Sequence, residues 1–286
     1  LITLGNLTCG FAAIHFGLRA MYEMGNNPPI EQIKMLQQVE RLLPSFLSVG
    51  AGRIILGMVF DCFDGLIARV TRSTTDFGGQ LDSLADVVTC GVAPATLMVA
   101  FMIHHRQETA IVPSPISEHV LGRIAWIAAA VYVAFTAIRL ARYNVEHARA
   151  DFDYRTFRGL PSPGAAGVMA SLIILQDYFS DFSRMIVLYA LPFVALGLAF
   201  LMVSRIPYRR FHRAYLLGKQ PFGHLMIFAV IFVVFMAWSA PTMLVLVVWY
   251  ALSGPVEMLL RRIRGKSVTI MPTAIVKPPS GERRTA

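Results

Sequence analysis

The sequence predicts an all-α, polytopic transmembrane helix bundle of about eight spans, and three observations carry that prediction. First, 56% of the 286 residues are hydrophobic and only 15% are charged, against roughly 25% charged in an ordinary soluble domain. Second, the charge deficit is uneven: long apolar stretches alternate with short charged ones, the pattern of a chain that repeatedly crosses hydrocarbon. Third, basic residues fall on alternate connections between those stretches, as the positive-inside rule requires.

In chain order the predicted spans are 1–22, 44–67, 80–103, 121–144, 162–178, 184–204, 222–238 and 240–260. Each lies near the ~20 residues needed to cross a bilayer. The fifth and seventh are short, and Ser239, Ala240 and Pro241 are expected to form a tight turn between the last two. With a cytoplasmic N-terminus, the loops 23–43, 104–120 and 178–183 lie outside and are poor in Lys and Arg. The inside then receives Arg69, Arg72, Arg149, Arg155, Arg158, Arg205, Arg209, Arg210, Arg213 and Lys219, followed by Arg261, Arg262, Arg264 and Lys266. An even number of spans places both termini in the cytoplasm, at the cytoplasmic membrane.

Between the first two spans, residues 30–43 space Ile30, Ile33, Leu36, Leu42 and Leu43 as an amphipathic helix would, predicting a surface helix on the outer side. Residues 1–260 are expected to form a single transmembrane catalytic domain, and 261–286 a basic, disordered cytoplasmic tail. No basic n-region and no A-x-A site are present near Leu1, so a cleaved signal peptide is not expected. The net charge of +9 is accounted for by topology, and no stacking aromatics accompany it, so nucleic acid is not expected as a partner. Cys9, Cys62 and Cys90 show neither CxxC pairing nor metal-ligand spacing and are expected to be buried, reduced thiols. His104 and His105 fall in a predicted outer loop, where solvation is expected.

The chemistry concentrates in residues 61–86, DCFDGLIARVTRSTTDFGGQLDSLAD. Asp61 and Asp64 lie three apart at the inner end of the second span, and Asp82 and Asp86 four apart at the inner start of the third. Either spacing puts a pair on one helix face. The short connection makes the helices antiparallel neighbours, so the four carboxylates converge. One aspartate at a helix end is ordinarily a solvated cap, and Asp76, outside this register, is expected to be of that kind. Four in register repel one another and are costly to desolvate unless a cation sits among them. An all-oxygen set favours a hard divalent ion, Mg²⁺ or Mn²⁺, and therefore a phosphate-bearing substrate. Gly65 and Gly78 remove side chains where a pyrophosphate would approach, Ala68 keeps the same face open, and Arg69 offers a fork to phosphate oxygens.

These residues spell D-x2-D-G-x2-A-R-x8-G-x3-D-x3-D without departure: Asp61, Asp64, Gly65, Ala68, Arg69, Gly78, Asp82 and Asp86. On that signature the sequence is identified as resembling the CDP-alcohol phosphatidyltransferase family. LITLGNLTCGF at the start, GGQLDSLADVVTCGVAPA (78–95), AIRLARYN (137–144) and RGLPSPGAAG (158–167) resemble the branch of that family whose acceptor is serine. The likeness covers most of residues 1–205 and thins beyond. It implies a CDP-alcohol phosphotransferase fold, a homodimer, and two metal ions held by Asp61, Asp64, Asp82 and Asp86, with Asp86 also the general base. It further implies that Gly65, Ala68, Arg69 and Gly78 cradle the cytidine diphosphate, with Thr3 and Asn6 at the nucleotide end. The substrates would be CDP-diacylglycerol, drawn from the membrane lipids, and L-serine, with release of CMP.

Serine's carboxylate needs a cation. Arg139 and Arg142, three apart at the inner end of the fourth span, and Arg158 are the candidates, with Asn144 and Ser162 beside them; ordinary positive-inside anchoring explains any one of these arginines as well. Pro161 and Pro163 predict a kinked entry to the fifth span, and Gly164 and Gly167 close helix packing. Competing readings are another acceptor (glycerol phosphate, an inositol phosphate or choline), a divalent-cation transporter and an inactive scaffold. A transport path should spread its carboxylates along several helices near the midplane, whereas these collect at one face.

Overall fold

In the computed structural model the described residues are 2–23, 45–71, 76–106, 115–147, 156–178, 181–204, 206–209 and 239–263. They are almost entirely helical: α1 (Ile2–Glu23), α2 (Phe46–Thr71), α3 (Asp76–Asp86), α4 (Ala93–Arg106), α5 (Pro115–His147), α6 (Ser162–Leu175), α7 (Asp181–Val203) and α8 (Ser239–Ile263). A π-turn, Val87–Val92, joins α3 to α4, and a 3₁₀ turn, Gln176–Tyr178, extends α6. Four segments are long and apolar enough to cross a membrane: Phe46–Gly65, Phe77–His105, Val120–Val145 and Arg184–Val203. Leu244–Val256 is a shorter apolar stretch. The fold is that of a helical membrane protein.

The helices overlie the expected spans, with instructive departures at their ends. The third begins at Asp76 rather than at 80, which puts Asp76 at a helix end, the position expected of it. Ser239, Ala240 and Pro241 do not form a separate turn but make the first turn of α8, where a proline lacks no bonded N–H. The amphipathic segment 30–43, the span 222–238, most of the 205–219 loop and the tail from 264 onward lie outside the described residues.

The core forms around α6, almost every residue of which is buried, from Ser162 through Leu175. Its sequence, SPGAAGVMASLIIL, is apolar or small all round, as a helix surrounded by other helices must be. At about 1.5 Å per residue its 14 residues reach only about 21 Å, which explains why the fifth span reads short. Around it, α1 packs along α2, α5 along α7, and α8 against α6.

Entry to α6 is built by a clamp. Thr156–Arg158 (β1) pairs antiparallel with Pro207–Arg209 (β2), Phe157 opposite Tyr208. Gly159 N donates to Ile206 O (2.9 Å) and Leu160 N to Leu201 O (3.0 Å), fastening the chain to the end of α7. Gly159 has φ +81°, and a Cβ there would stand 2.2 Å from Met202 O, so only glycine fits. Pro161 then takes the N-cap position at φ −59° and ψ 141°, and Pro163 lies in the first turn, where a missing N–H costs nothing.

Two expectations about individual residues are corrected. His104 and His105 do not sit in a solvated loop; α4 continues through them to Arg106, and His105 is buried with its ring edge-on to Phe101 at 4.7 Å between centroids. Cys9 and Cys90 are buried free thiols as expected, but Cys62 is exposed on α2. In a membrane bundle an exposed helix face meets lipid, so burial inside the protein is not required of an apolar thiol.

Candidate active site

The site sits where α1, α2, α3 and α5 meet at one end of the bundle. The last turns of α2 carry Asp61, Asp64 and Gly65, followed by Ala68 and Arg69; α3 carries Gly78, Asp82 and Asp86. The side chains of Ala68, Arg69 and Arg158 lie outside the described set. Asp61 faces Asp64, Asp82 and Asp86 at once, and its carboxyl meets that of Asp82 within hydrogen-bonding range. Asp86 is the most deeply buried of the four, 7% exposed. The convergence expected from helical spacing is therefore present in space.

The first helix stitches this cluster. Thr3 Oγ1 donates to Asp64 Oδ2, and Asn6 Nδ2 donates to Asp86 Oδ1 at 3.1 Å. Thr3 and Asn6 were expected at the nucleotide end; here their donors are engaged by the carboxylates themselves. Thr3 and Asn6 lie nearly one turn apart on α1, so a single helix face fixes one aspartate from α2 and one from α3. Asn6 is 1% exposed, and its Oδ1 is buried without a hydrogen-bond partner.

The π-turn after Asp86 completes the arrangement. Thr89, Cys90 and Gly91 are buried in it, and Thr89 Oγ1 donates to the Asn6 carbonyl at 3.0 Å. A side chain on Gly57 would strike Thr89 Cγ2 at 2.7 Å and Asn6 Oδ1 at 2.9 Å, so that glycine lets α1, α2 and the π-turn meet. The widened turn shifts the register of α3 relative to α4. Gly/Thr/Asn contacts of this kind have no helical-period signature, and the sequence reading missed both Thr89 and the π-turn.

The expected acceptor-side residues divide. Arg139 donates to Ser162 Oγ, and its guanidinium faces Asp86, Tyr143 and Tyr250. Arg142 instead donates to the Val203 carbonyl at the end of α7, 3.3 Å away. Asn144 is bonded to Ser83 (Nδ2 to Oγ, 2.8 Å), tying α5 to α3 between Asp82 and Asp86. Arg139 and Ser162 thus adjoin the carboxylates, whereas Arg142 and Asn144 hold helices together.

The donor set fits a hard divalent cation. Its groups are carboxylate oxygens, and the carboxyls of Asp61 and Asp82 lie within hydrogen-bonding range while Asp64 and Asp86 act on Asp61. Among the described residues no three His, Cys, Asp or Glu side chains are already drawn to ligating distance, so the cluster is a converging set rather than a closed cage.

The bundle gathers four carboxylates at one end, on helices that also carry Gly65 and Gly78. Residues 41–200 match the family model described as CDP-alcohol phosphatidyltransferase, and the chain belongs to that family. The family uses divalent metal ions. The chain is 34% identical over 160 residues to the CDP-diacylglycerol–serine O-phosphatidyltransferase of Helicobacter pylori, covering 56% of this chain and 60% of that protein. Identity to the enzyme of the same name from Bacillus subtilis is 29% over 213 residues, 74% of this chain and 90% of that one. For the Methanocaldococcus jannaschii protein of that name it is 29% over 181 residues, 63% and 73% respectively.

Proposed function

We propose that the chain is a phosphatidylserine synthase, transferring the phosphatidyl group of CDP-diacylglycerol to the hydroxyl of L-serine with release of CMP. The observation that carries this reading is Arg139: a guanidinium bonded to Ser162 and facing Asp86 offers a carboxylate-binding cation beside a candidate base. The relatives named for serine transfer support the same acceptor.

In this reading Asp61, Asp64, Asp82 and Asp86 would hold two divalent ions, Mg²⁺ or Mn²⁺, whose positive charge would offset the negative charge of the pyrophosphate and of the departing CMP. Gly65, Ala68, Arg69 and Gly78 cradle the cytidine diphosphate. Thr3 and Asn6 orient Asp64 and Asp86 by the bonds described above. Arg139 binds the carboxylate of serine and so directs its hydroxyl toward Asp86. Asp86 takes the hydroxyl proton as the serine oxygen bonds to the β-phosphorus, and the bond from that phosphorus to the CMP oxygen breaks. Positioned proton transfer of this kind is worth ~10²–10⁴-fold. The acyl chains enter sideways between helices from the cytoplasmic leaflet, with the site and both termini facing the cytoplasm, and the protein acts as a homodimer in the cytoplasmic membrane.

The test is CMP release by purified protein given CDP-diacylglycerol, Mn²⁺ or Mg²⁺ and a panel of alcohols, beside Asp86→Asn. Serine-dependent release that disappears in the variant is expected. Release with glycerol 3-phosphate, an inositol phosphate or choline, but not serine, overturns the acceptor. No release from folded protein with any acceptor favours a transporter or a scaffold.

A further inference from the structure

The last helix supplies a residue to the acceptor side of this site. Val247 and Tyr250 lie three apart on α8, and Gly164 and Gly167 three apart on α6. A Cβ on Gly167 would stand 3.1 Å from Val247 Cγ1, and one on Gly164 would stand 3.3 Å from Tyr250 Cε1 and 3.4 Å from Cδ1. Two side chains a turn apart therefore key into two glycine notches a turn apart, which fixes the Tyr250 ring against the start of α6. Ser162, two residues before Gly164, accepts the Arg139 hydrogen bond. Tyr250 in turn lies within electrostatic reach of the Arg139 guanidinium, on which Asp86 also acts.

Among the described residues Arg139 makes one hydrogen bond, to Ser162, whereas a guanidinium carries five N–H donors in a rigid fork. Donors remain for a ligand bounded by Asp86 and the Tyr250 ring. An acceptor with its carboxylate on Arg139 and its hydroxyl toward Asp86 has one polar group left, the ammonium on its central carbon. The groups that act on Arg139 are Asp86, Cys90, Tyr143 and Tyr250, and of these a phenol ring is suited to an ammonium through its π face.

Resting on the serine reading above, we propose that Tyr250 is the residue that selects an amino-acid acceptor: it receives the ammonium group and limits the room for bulkier, phosphorylated alcohols. Tyr250 lies beyond residues 41–200, the segment matched by the family model, so the selecting wall comes from outside the part of the chain that carries the shared signature.

The experiment measures CMP release by the full chain in detergent at saturating CDP-diacylglycerol and Mn²⁺, against serine and against 3-hydroxypropionate, which lacks only the amino group. Wild type is compared with Tyr250→Phe, Tyr250→Ala and Gly164→Ala. Tyr250→Ala is expected to raise KM for serine about tenfold with KM for CDP-diacylglycerol unchanged, and to shrink the preference for serine over 3-hydroxypropionate by a similar factor. Tyr250→Phe, which keeps the ring in its notch, should lie between, and Gly164→Ala, which pushes the ring by tenths of an ångström, should raise the serine KM a few-fold. An unchanged serine KM in Tyr250→Ala, or parallel increases in both substrates' KM, overturns the assignment alone. Absence of serine-dependent release from the wild type overturns the serine reading and this assignment together.

Discussion

Helix α2 has an aspartate-binding arrangement at each end, and the two ends are built on opposite principles. At its start, Asp177 from the turn after α6 is surrounded by donors: Ser45 Oγ gives to Oδ2 at 3.0 Å, Ser48 Oγ also gives to Oδ2, and Gln176 Nε2 gives to Oδ1 at 2.7 Å. Ser45 meanwhile caps the helix, accepting from Ser48 N at 3.1 Å. The Arg184 guanidinium and the His105 ring lie within electrostatic reach of the same carboxylate. At the other end, Asp61 and Asp64 face Asp82 and Asp86, and Thr3 and Asn6 donate to Asp64 and Asp86. Donors around a buried carboxylate offset part of its desolvation cost, whereas carboxylates turned on one another add repulsion to that cost, which a cation among them would relieve. Residue type is the same at both ends, so the partners decide which is structural and which is chemical.

The comparison sharpens or breaks most directly under paired substitutions. Asp86→Asn should lower CMP release by ~10²–10⁴-fold while leaving thermal unfolding in detergent unchanged or slightly raised, because one repelling charge is gone. A variant that instead fails to fold would place Asp86 in the structural class. Asn6→Ala, which removes the bond to Asp86, should lower activity by ~10–100-fold, the usual effect of losing a group that orients a ligand; kinetics indistinguishable from wild type would remove Asn6 from the site. Asp177→Asn reverses the pattern. It should cost about 1–3 kcal/mol of stability, read as a lower unfolding temperature, with kcat at low temperature nearly intact. Gly159→Ala should also act on stability, by about 1–3 kcal/mol or more given the 2.2 Å approach to Met202 O, and a wild-type unfolding temperature would show that the clamp at β1 is dispensable. Arg142→Ala, which removes the bond to the Val203 carbonyl, should leave the serine KM unchanged and lower stability by about 1 kcal/mol.

What the sequence disclosed follows the same division. Helical spacing makes Asp61, Asp64, Asp82 and Asp86 legible, because a period of 3.6 residues puts each pair on one face and a short connection brings the faces together. Span length and hydropathy make the helices legible for the same reason, down to the shortness of α6. Contacts between distant segments have no such period. The Thr3–Asp64 and Asn6–Asp86 bonds join residues 61 and 80 positions apart, so no helical period announces them. The π-turn depends on Thr89 meeting the Asn6 carbonyl across the α1 contact, and nothing local in VVTCGV announces it. The polar run after 103 reads as a loop, yet α4 continues to Arg106 and buries His105 in the bundle. Arg139 and Arg142 share a helix yet serve different partners, since three residues on a helix is near alignment and not identity of direction.

The function proposed above requires the converging aspartates to bind a divalent cation and the Asp177 arrangement not to. Mn²⁺ titration of the purified protein, followed by electron paramagnetic resonance, tests it with wild type, an Asp61→Asn/Asp82→Asn double variant and Asp177→Asn side by side. Wild type and Asp177→Asn should bind Mn²⁺ alike, and the double variant should leave the ion free in solution. Equal binding by the double variant, or no bound Mn²⁺ in the wild type, would contradict the account.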